Sequence, residues 1–247
     1  MTASGASDLG DREHQEDVWL VAERGEATLC VVCDGMGACT SGAPAAALTA
    51  SLLRAAFESG AEPEDVMATL QDAHRDILGR SAAAQRRKPG SDPRWHGMGT
   101  TAEVAVFTPG RVHLGHVGDG GIYRFRSGRL EPMTVAHTLL NEVRRLRPGA
   151  SEADLARIPA KVIVRALGMQ ADLEVDRRDV DALAGDVWLL CSDGLTSIVS
   201  DEEISATLSG GGSAAHLART LMVTARKVRR PWEPRDNITL IVHAVRG

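Results

Sequence analysis

The chain has 247 residues, of which 43% are hydrophobic and only 3% are aromatic. Such a chain can bury a sizeable core built from Ala, Val, Leu and Ile, which argues against a disordered protein. The net charge is −5, with acidic and basic residues interspersed, so nucleic acid is not expected as the main partner. No apolar run approaches the roughly 20 residues that span a bilayer, and the first residues lack the pattern of a signal peptide.

Four cysteines are too few for a disulfide framework and are typical of a reducing compartment, so a cytoplasmic protein is expected. Cys30 and Cys33 form a CxxC pair, but they lie in an apolar run typical of a buried strand. No second pair follows at the spacing of a zinc site. Two small core residues therefore explain the pair better than a redox or metal role.

The first third of the chain predicts two strands and two helices. Residues 18–32 are typical of a strand pair, broken at the turn 23–25. Apolar residues 45–57 predict a buried helix, and residues 64–80 a second helix. Residues 85–94 are rich in turn-forming and charged residues, so they are predicted to be a loop. The second helix is predicted to bury one face, made of Val66, Leu70, His74 and Leu78.

Further along, three strands separated by turn dipeptides are predicted over 100–108, 111–117 and 121–126. Residues 138–163 are predicted to be a mostly helical, movable insertion around Pro148-Gly149. A strand, a helix opened by a capping box, a longer helix and a closing strand follow over 186–191, 200–203, 213–228 and 237–245. Hairpin-linked strands with helices in blocks indicate an α+β sandwich rather than alternating βαβ units.

Acidic residues recur where predicted strands begin or end. Asp34, Asp119 and Asp193 each follow a strand and precede glycine, while Asp236 precedes the last strand. A single Asp-Gly pair is usually an ordinary turn. Several carboxylates at one mouth of a sheet core, however, would repel one another unless cations lay between them. Oxygen ligands of this kind suit Mg²⁺ or Mn²⁺ rather than zinc, and two such ions about 3.5–4 Å apart create a nucleophile at neutral pH.

A family resemblance explains this recurrence. The motifs that carry it are SDLGDREHQED at 7–17, VCDGMG at 32–37, GMGTT at 97–101, HVGD at 116–119, RALG at 165–168, CSDGL at 191–195 and DNIT at 236–239. Through them the chain resembles the metal-dependent protein phosphatases of the type 2C (PPM) family, in its bacterial serine/threonine branch, from about residue 7 to residue 245. Seven motifs in the expected order make chance similarity negligible.

The resemblance implies an α-β-β-α sandwich, in which two antiparallel β-sheets are flanked by pairs of helices and the metal site lies at one end. It implies one catalytic domain over residues 1–247, with a flap at 138–163 beside the active site. The implied cofactors are two Mn²⁺ or Mg²⁺ ions, with a possible third.

The resemblance also implies roles for single residues. Asp34 would bridge the two metals, Gly35 would offer its carbonyl, and Asp193 and Asp236 would complete the core ligands. Outside this core, Asp119 would help to bind the third metal.

Three further residues of the first motif receive roles from the same resemblance. Glu16 and Asp17 would support the metals, and Arg12 would hold the substrate phosphate. The hypothesis is direct hydrolysis: Arg12 clamps the phosphoryl oxygens bidentately while a water activated between the metals attacks phosphorus.

The chain departs from the family pattern at four places, which are Gln15, Ala38, Gly120-Gly121 and Ala136. Ala38 is expected to alter the turn after Asp34, and Gly120-Gly121 to loosen the loop after Asp119. None of the changes removes a core metal ligand, so an active enzyme is expected.

The general acid is left open. Some family members carry histidine where this chain has Met36, so the leaving oxygen needs a metal-bound water or another group. His14 is one candidate, although a surface position explains it better. No cysteine has arginine six positions later, which excludes the loop of cysteine phosphatases. Asp179-Val-Asp181 only weakly resembles an aspartyl-phosphate motif, and His113 and His116 lie on opposite faces of a strand.

A second class of function is a phosphoprotein-binding regulator that keeps the fold and the metals but turns over poorly. It predicts metal-dependent binding without appreciable hydrolysis. The expected partners are phosphorylated proteins, namely the targets of a bacterial serine/threonine kinase and the kinase itself, and a monomer is expected. The basic segments 86–88 and 226–230 are read as solvated faces that also suit steering of a phosphoprotein.

Overall fold

A computed structural model describes residues 2–37, 42–87, 90–228 and 234–246. Two five-stranded sheets, with every strand pair antiparallel, form its centre. The strands of the first sheet, in spatial order, are β1 (Ala3–Asp8), β12 (Ile238–Ala244), β11 (Val187–Cys191), β8 (Gly121–Arg126) and β9 (Arg129–Pro132). Those of the second are β10 (Asp176–Asp181), β7 (Arg111–Val117), β6 (Ala102–Thr108), β3 (Ala27–Cys33) and β2 (Val18–Arg24). Two short strands, β4 (Gly35–Gly37) and β5 (Met98–Thr100), pair separately.

Helices cover the outer face of each sheet. The helices on the second sheet are α1 (Ala43–Glu58) and α2 (Pro63–Gln85), and those on the first sheet are α6 (Asp201–Ser209) and α7 (Ala214–Lys227). Shorter helices are α3 (Leu139–Leu146), α4 (Glu152–Leu155) and α5 (Asp193–Thr196), with a 3₁₀ turn at Pro93–Trp95. The predicted α-β-β-α sandwich is confirmed. None of the described helices is both long and apolar enough to cross a membrane.

Strand β3 shows why the sandwich forms. Its residues are apolar on both faces, so burial of either face alone would leave the other exposed. Leu29 and Val31 pack among the residues beneath α1 and α2, whereas Cys30 and Val32 pack between the two sheets. The cysteines of the CxxC pair are free and buried, and burial raises the pKa of both thiols. Their predicted role as core residues is confirmed.

The sequence missed the polar edge strands. Strand β10 lies at the edge of its sheet, and its residues are mostly exposed, so it carries no apolar alternation to detect. Strand β1 is a half-buried edge strand of Ser, Gly and Ala residues that pairs along its whole length with β12. Both strands exist because a neighbouring strand supplies the hydrogen bonds, which is a property of the tertiary structure.

Other predicted elements agree closely. Strands β7 and β8 have the predicted bounds, and the capping box at Ser200 and Glu203 opens α6. Helix α2 runs further than predicted, into the expected loop, and buries Ile77 rather than Leu78.

The insertion 138–163, called the flap below, contains α3 (8 residues) and α4 (4 residues) on either side of Pro148-Gly149. These helices cover fewer than half of its residues, so the prediction of a mostly helical insertion is wrong. Its two ends meet. Thr138 and Ile163 form an isolated β-bridge, and the Leu139 amide donates to the Val162 carbonyl (2.8 Å). These contacts join the first and last residues of the flap to each other where it leaves the sandwich.

Candidate active site

A cleft of about 510 Å³ lies at the end of the sandwich where β3, β7 and β11 finish. Its lining includes seven of the eight residues that the sequence singled out: Arg12, Glu16, Asp34, Gly35, Asp119, Asp193 and Asp236. The eighth, Asp17, is buried behind the cleft, where its carboxylate accepts a hydrogen bond from Ser192 (2.8 Å). The structure thus brings together residues more than 200 positions apart.

Asp34 is held by two threonines of the adjacent strands. Its amide donates to Thr101 Oγ1 (3.0 Å), and its carbonyl accepts from Thr100 Oγ1 (2.9 Å) and the Thr101 amide (2.9 Å). The next position requires glycine, because a Cβ on Gly35 would lie 2.7 Å from the Glu16 carbonyl oxygen. The backbone around Asp34 is therefore fixed on both sides.

Asn237 ties the N-terminal motif to the last strand. Its side-chain nitrogen donates to the carbonyls of Leu9 (2.9 Å) and His14 (3.1 Å), and its side-chain oxygen accepts from the Glu16 amide (2.7 Å). These bonds hold Arg12 and Glu16 beside Asp236. The motif DNIT contains Asn237, but no structural role for its side chain was predicted from the sequence.

The carboxylates in the cleft raise one another's pKa. Burial, followed by the charges of Asp17 and Asp193, raises the pKa of Asp34 well above its usual value. Burial and the charge of Asp193 raise the pKa of Asp119 to about 7. Burial also raises the pKa of Asp17 to about 6. A cation among them would reverse these shifts, because it removes both the repulsion and the unpaired charge.

Asp236 is paired differently from the other cleft carboxylates. Arg12 donates to Asp236 Oδ2 at 2.5 Å, and this bond is the main cause of the raised pKa of Arg12. Over the described ranges, no three Asp, Glu, His or Cys side chains stand together as a formed metal-binding group. The donor chemistry nevertheless fits hard divalent cations, since the cleft offers several carboxylates and Asp119 Oδ1 is buried without a hydrogen-bond partner.

Lys161 is a cleft residue that the sequence did not single out. It lies at the end of the flap and lines the cleft together with Ile163. Its charge acts to lower the pKa of both Asp119 and Asp193. The sequence placed Lys161 within the flap but did not distinguish it from the other basic residues of that segment.

Glu103 is another residue that the sequence did not single out. Its position changes the interpretation of Gly120, which was expected to loosen the loop after Asp119. The Glu103 carboxyl is fully buried, and a Cβ on Gly120 would lie 2.4 Å from its Cδ. A Cβ on Gly121 would lie equally close to the Tyr123 ring. The two glycines therefore make room for packed side chains, so close packing explains them better than a loosened loop.

The structure also shows the surroundings of three histidines that the sequence analysis considered. His14 is exposed and does not line the cleft. His113 faces Asp179 (3.0 Å) while His116 faces Glu103, so the two histidines have separate surroundings. Ala38, Cys39, Lys88 and the end of the basic segment, 229–230, lie outside the described residues.

The fold and this cleft define a class of protein. A family model described as protein phosphatase 2C matches residues 4–232, so the chain belongs to the protein phosphatase 2C family. Family membership makes it a metal-dependent phosphatase and confirms the expectation drawn from the ordered motifs.

Among its relatives is the serine/threonine phosphatase stp of Listeria monocytogenes, which is 30% identical over 241 residues, or 94% of this chain and 90% of that protein. The crystal structure of the phosphatase Stp1 from Staphylococcus aureus superposes with a TM-score of 0.84 at 26% identity, covering 99% of this chain and 95% of that one. The catalytic domain of the phosphatase PstP, solved with two manganese ions, gives a TM-score of 0.77 at 31% identity, with 99% and 98% covered.

Proposed function

We propose that this protein hydrolyses phosphoserine and phosphothreonine in proteins, using two Mn²⁺ or Mg²⁺ ions held in the cleft. One observation carries the proposal: Asp34, Asp119 and Asp193, from the ends of three different strands, line one cleft with pKa values raised by burial and mutual repulsion. A two-manganese complex of the related PstP domain gives independent support.

In this proposal Asp34, the Gly35 carbonyl, Asp193 and Asp236 hold the two core ions, and Asp119 contributes to a third. The charges of Asp17, Asp193, Asp119 and Asp236 all act on Asp34, which fits its proposed place between the two ions. When bound, the ions supply a nucleophile at neutral pH and neutralise charge on the phosphate.

The acidic pair of the first motif acts behind these ligands. The Glu16 carboxylate accepts from the Gly42 amide (2.8 Å), and Gly42 packs against the backbone of Gly35. Asp17 lies beneath the cleft and accepts from Ser192, the residue before Asp193. Both therefore support the metals by positioning the ligand-bearing backbone.

Arg12 is proposed to bind the substrate phosphate. Its side chain is 54% exposed at the cleft and pairs with Asp236, so its guanidinium is available at the cleft surface. Once Asp236 serves a cation, the guanidinium nitrogen that now binds it is free, and the guanidinium can hold phosphoryl oxygens bidentately. Over the described residues, no histidine lines the cleft, so the geometry gives no support to His14 as general acid.

The finer biological setting is also part of the proposal. Residues 1–247 are proposed to act as one catalytic domain and as a monomer, on targets of a bacterial serine/threonine kinase and on the kinase itself. A reducing, cytoplasmic location is proposed because the described cysteines are free and buried.

The test measures hydrolysis of p-nitrophenyl phosphate and of a phosphothreonine peptide with Mn²⁺, Mg²⁺ or EDTA. Wild type is compared with Asp193→Ala and Arg12→Ala, and circular dichroism checks that each is folded. We expect turnover that needs the metal, collapses in Asp193→Ala and shows mainly a raised KM in Arg12→Ala. Folded wild type that binds the phosphopeptide with metal but releases no phosphate would favour the binding regulator instead.

A further inference from the structure

His137 lies immediately before the first residue of the flap and is buried, with 9% of its surface exposed. Its backbone joins the two ends of the flap, since the His137 carbonyl accepts from the Val164 amide (2.9 Å). The imidazole packs on the ring of His116, with ring centroids 4.7 Å apart. The residue is thus fixed on the sandwich rather than carried by the flap.

His137 also makes hydrogen bonds with both the amide and the carbonyl of Gly118. The His137 amide donates to the Gly118 carbonyl (2.7 Å), and the Gly118 amide donates to His137 Nδ1 (3.0 Å). Gly118 has a φ of +120°, and a Cβ there would lie 2.5 Å from the Thr101 side chain. Gly118 directly precedes Asp119, so these two bonds set the direction in which Asp119 leaves its strand.

The hydrogen bonds define the tautomer of His137. Because Nδ1 accepts from Gly118, the single proton of the neutral ring is on Nε2. Nε2 lies 3.2 Å from Asp176 Oδ2. Arg165 Nη1, just beyond the flap, lies 3.1 Å from the same ring nitrogen and binds the other oxygen of that carboxylate (2.8 Å). Burial lowers the pKa of His137, in keeping with a neutral ring. Asp176 and Arg165 thereby orient the imidazole towards Gly118.

We propose that His137 is a positioning residue that couples the base of the flap to the Asp119 turn, and that its Nδ1 acceptor sets the affinity of the cation site that includes Asp119. The inference rests on the proposed function, in which Asp119 is a metal ligand. Outer hydrogen-bond partners of a ligand typically change metal affinity by about 10- to 100-fold.

Two variants separate the Nδ1 bond from the rest of the imidazole. In His137→Asn the side-chain oxygen is attached to Cγ, as Nδ1 is, so an acceptor for the Gly118 amide is kept. In His137→Gln the amide reaches the place of Nε2 and leaves Nδ1 without a replacement. His243→Gln is the control, because His243 is also buried but stacks on Phe107 and does not line the cleft.

Three quantities are measured: hydrogen exchange of the Gly118 amide in the metal-free protein, Mn²⁺ binding by calorimetry, and the Mn²⁺ concentration for half-maximal hydrolysis of p-nitrophenyl phosphate. We expect His137→Gln to expose the Gly118 amide and to weaken the weakest Mn²⁺ site about 10-fold. His137→Asn and His243→Gln are expected to match wild type in both respects.

Two results would overturn the proposal. One is a His137→Gln protein with unchanged Mn²⁺ binding, whether or not the exchange of the Gly118 amide changes. The other is a loss in His137→Asn as large as in His137→Gln, which would assign the effect to bulk packing. Absence of hydrolysis by wild type, with Mn²⁺ binding intact, would overturn the proposed function alone, because amide exchange and calorimetry need no turnover.

Discussion

The two ends of strand β11 carry aspartates in opposite electrostatic situations. Asp186 precedes the strand and is 1% exposed, yet Arg126 binds both of its oxygens at 2.6 Å. Asp193 follows the strand, lines the cleft, and has a raised pKa because burial and the charge of Asp236 act on it.

The difference between the surroundings of Asp186 and Asp193 indicates how a cation site can be recognised from the protein side chains alone. Asp186, a buried carboxylate with a structural role, is paired with a cationic side chain of the protein. At the catalytic end, carboxylates repel one another, and Asp119 keeps a buried oxygen without a hydrogen-bond partner. In the proposed function, a bound ion neutralises this charge.

The largest expected effect is on stability, and it comes from a change at Asp186, the buried aspartate that pairs with Arg126. Asp186→Asn should lower the free energy of unfolding by about 2–3 kcal/mol, because Arg126 loses the buried one of its two carboxylate partners and keeps only Asp181. Urea denaturation measures this, and turnover per folded molecule should be unchanged. Replacing both partners, as Asp186→Asn with Arg126→Met, should recover much of the stability. A single variant as stable as wild type would contradict the assigned role.

A change at Asp193, at the other end of β11, should have the opposite effects: activity falls, and the metal-free protein becomes more stable. Asp193→Asn should reduce turnover at least about 100-fold. In EDTA, however, it should unfold at a higher temperature than wild type, because one repelling carboxylate is gone. Differential scanning calorimetry with and without Mn²⁺ checks this. Equal melting temperatures in EDTA would show that the cleft carboxylates are not under mutual strain.

A titrating group outside the cleft gives a pH-dependent control. His243 stacks on Phe107 with centroids 3.8 Å apart, and burial lowers its pKa to about 4. Since the unfolded chain binds this proton at a pKa near 6.5, its contribution to stability is complete above pH 6.5 and is lost as pH falls towards 4.

The loss should reach about 2 kcal/mol by pH 5. His243→Phe keeps the ring stack and should remove this part of the pH dependence, which urea denaturation at pH 5 and pH 8 measures in EDTA. An unchanged difference between the two pH values would exclude His243 as its source.

The smallest expected effect concerns the contact between Gly120 and Glu103. Gly120→Ala should destabilise the protein by about 1 kcal/mol, because the new methyl group meets the buried Glu103 carboxyl. In a Glu103→Ala background the same change should be close to neutral. A double-mutant cycle by urea denaturation measures the coupling, and additive effects would argue against the contact.

Local pattern determined much of the fold. The apolar run of β3, the turn dipeptides that bound β7 and β8, and the capping box at Ser200 each act over a few residues, so the sequence predicts them. The edge strand β10 escaped because its residues have no apolar alternation, and only pairing with β7 makes it a strand.

For the site, the sequence by itself determined which carboxylates lie at strand ends, and the order of the motifs indicated the family. Only the tertiary structure decided how these residues are held. Asn237 joins segments about 220 residues apart, Gly120 makes room for Glu103, and His137 binds the turn before Asp119. Such contacts depend on distance in space between residues that are remote along the chain, and a single sequence carries no local signal for them.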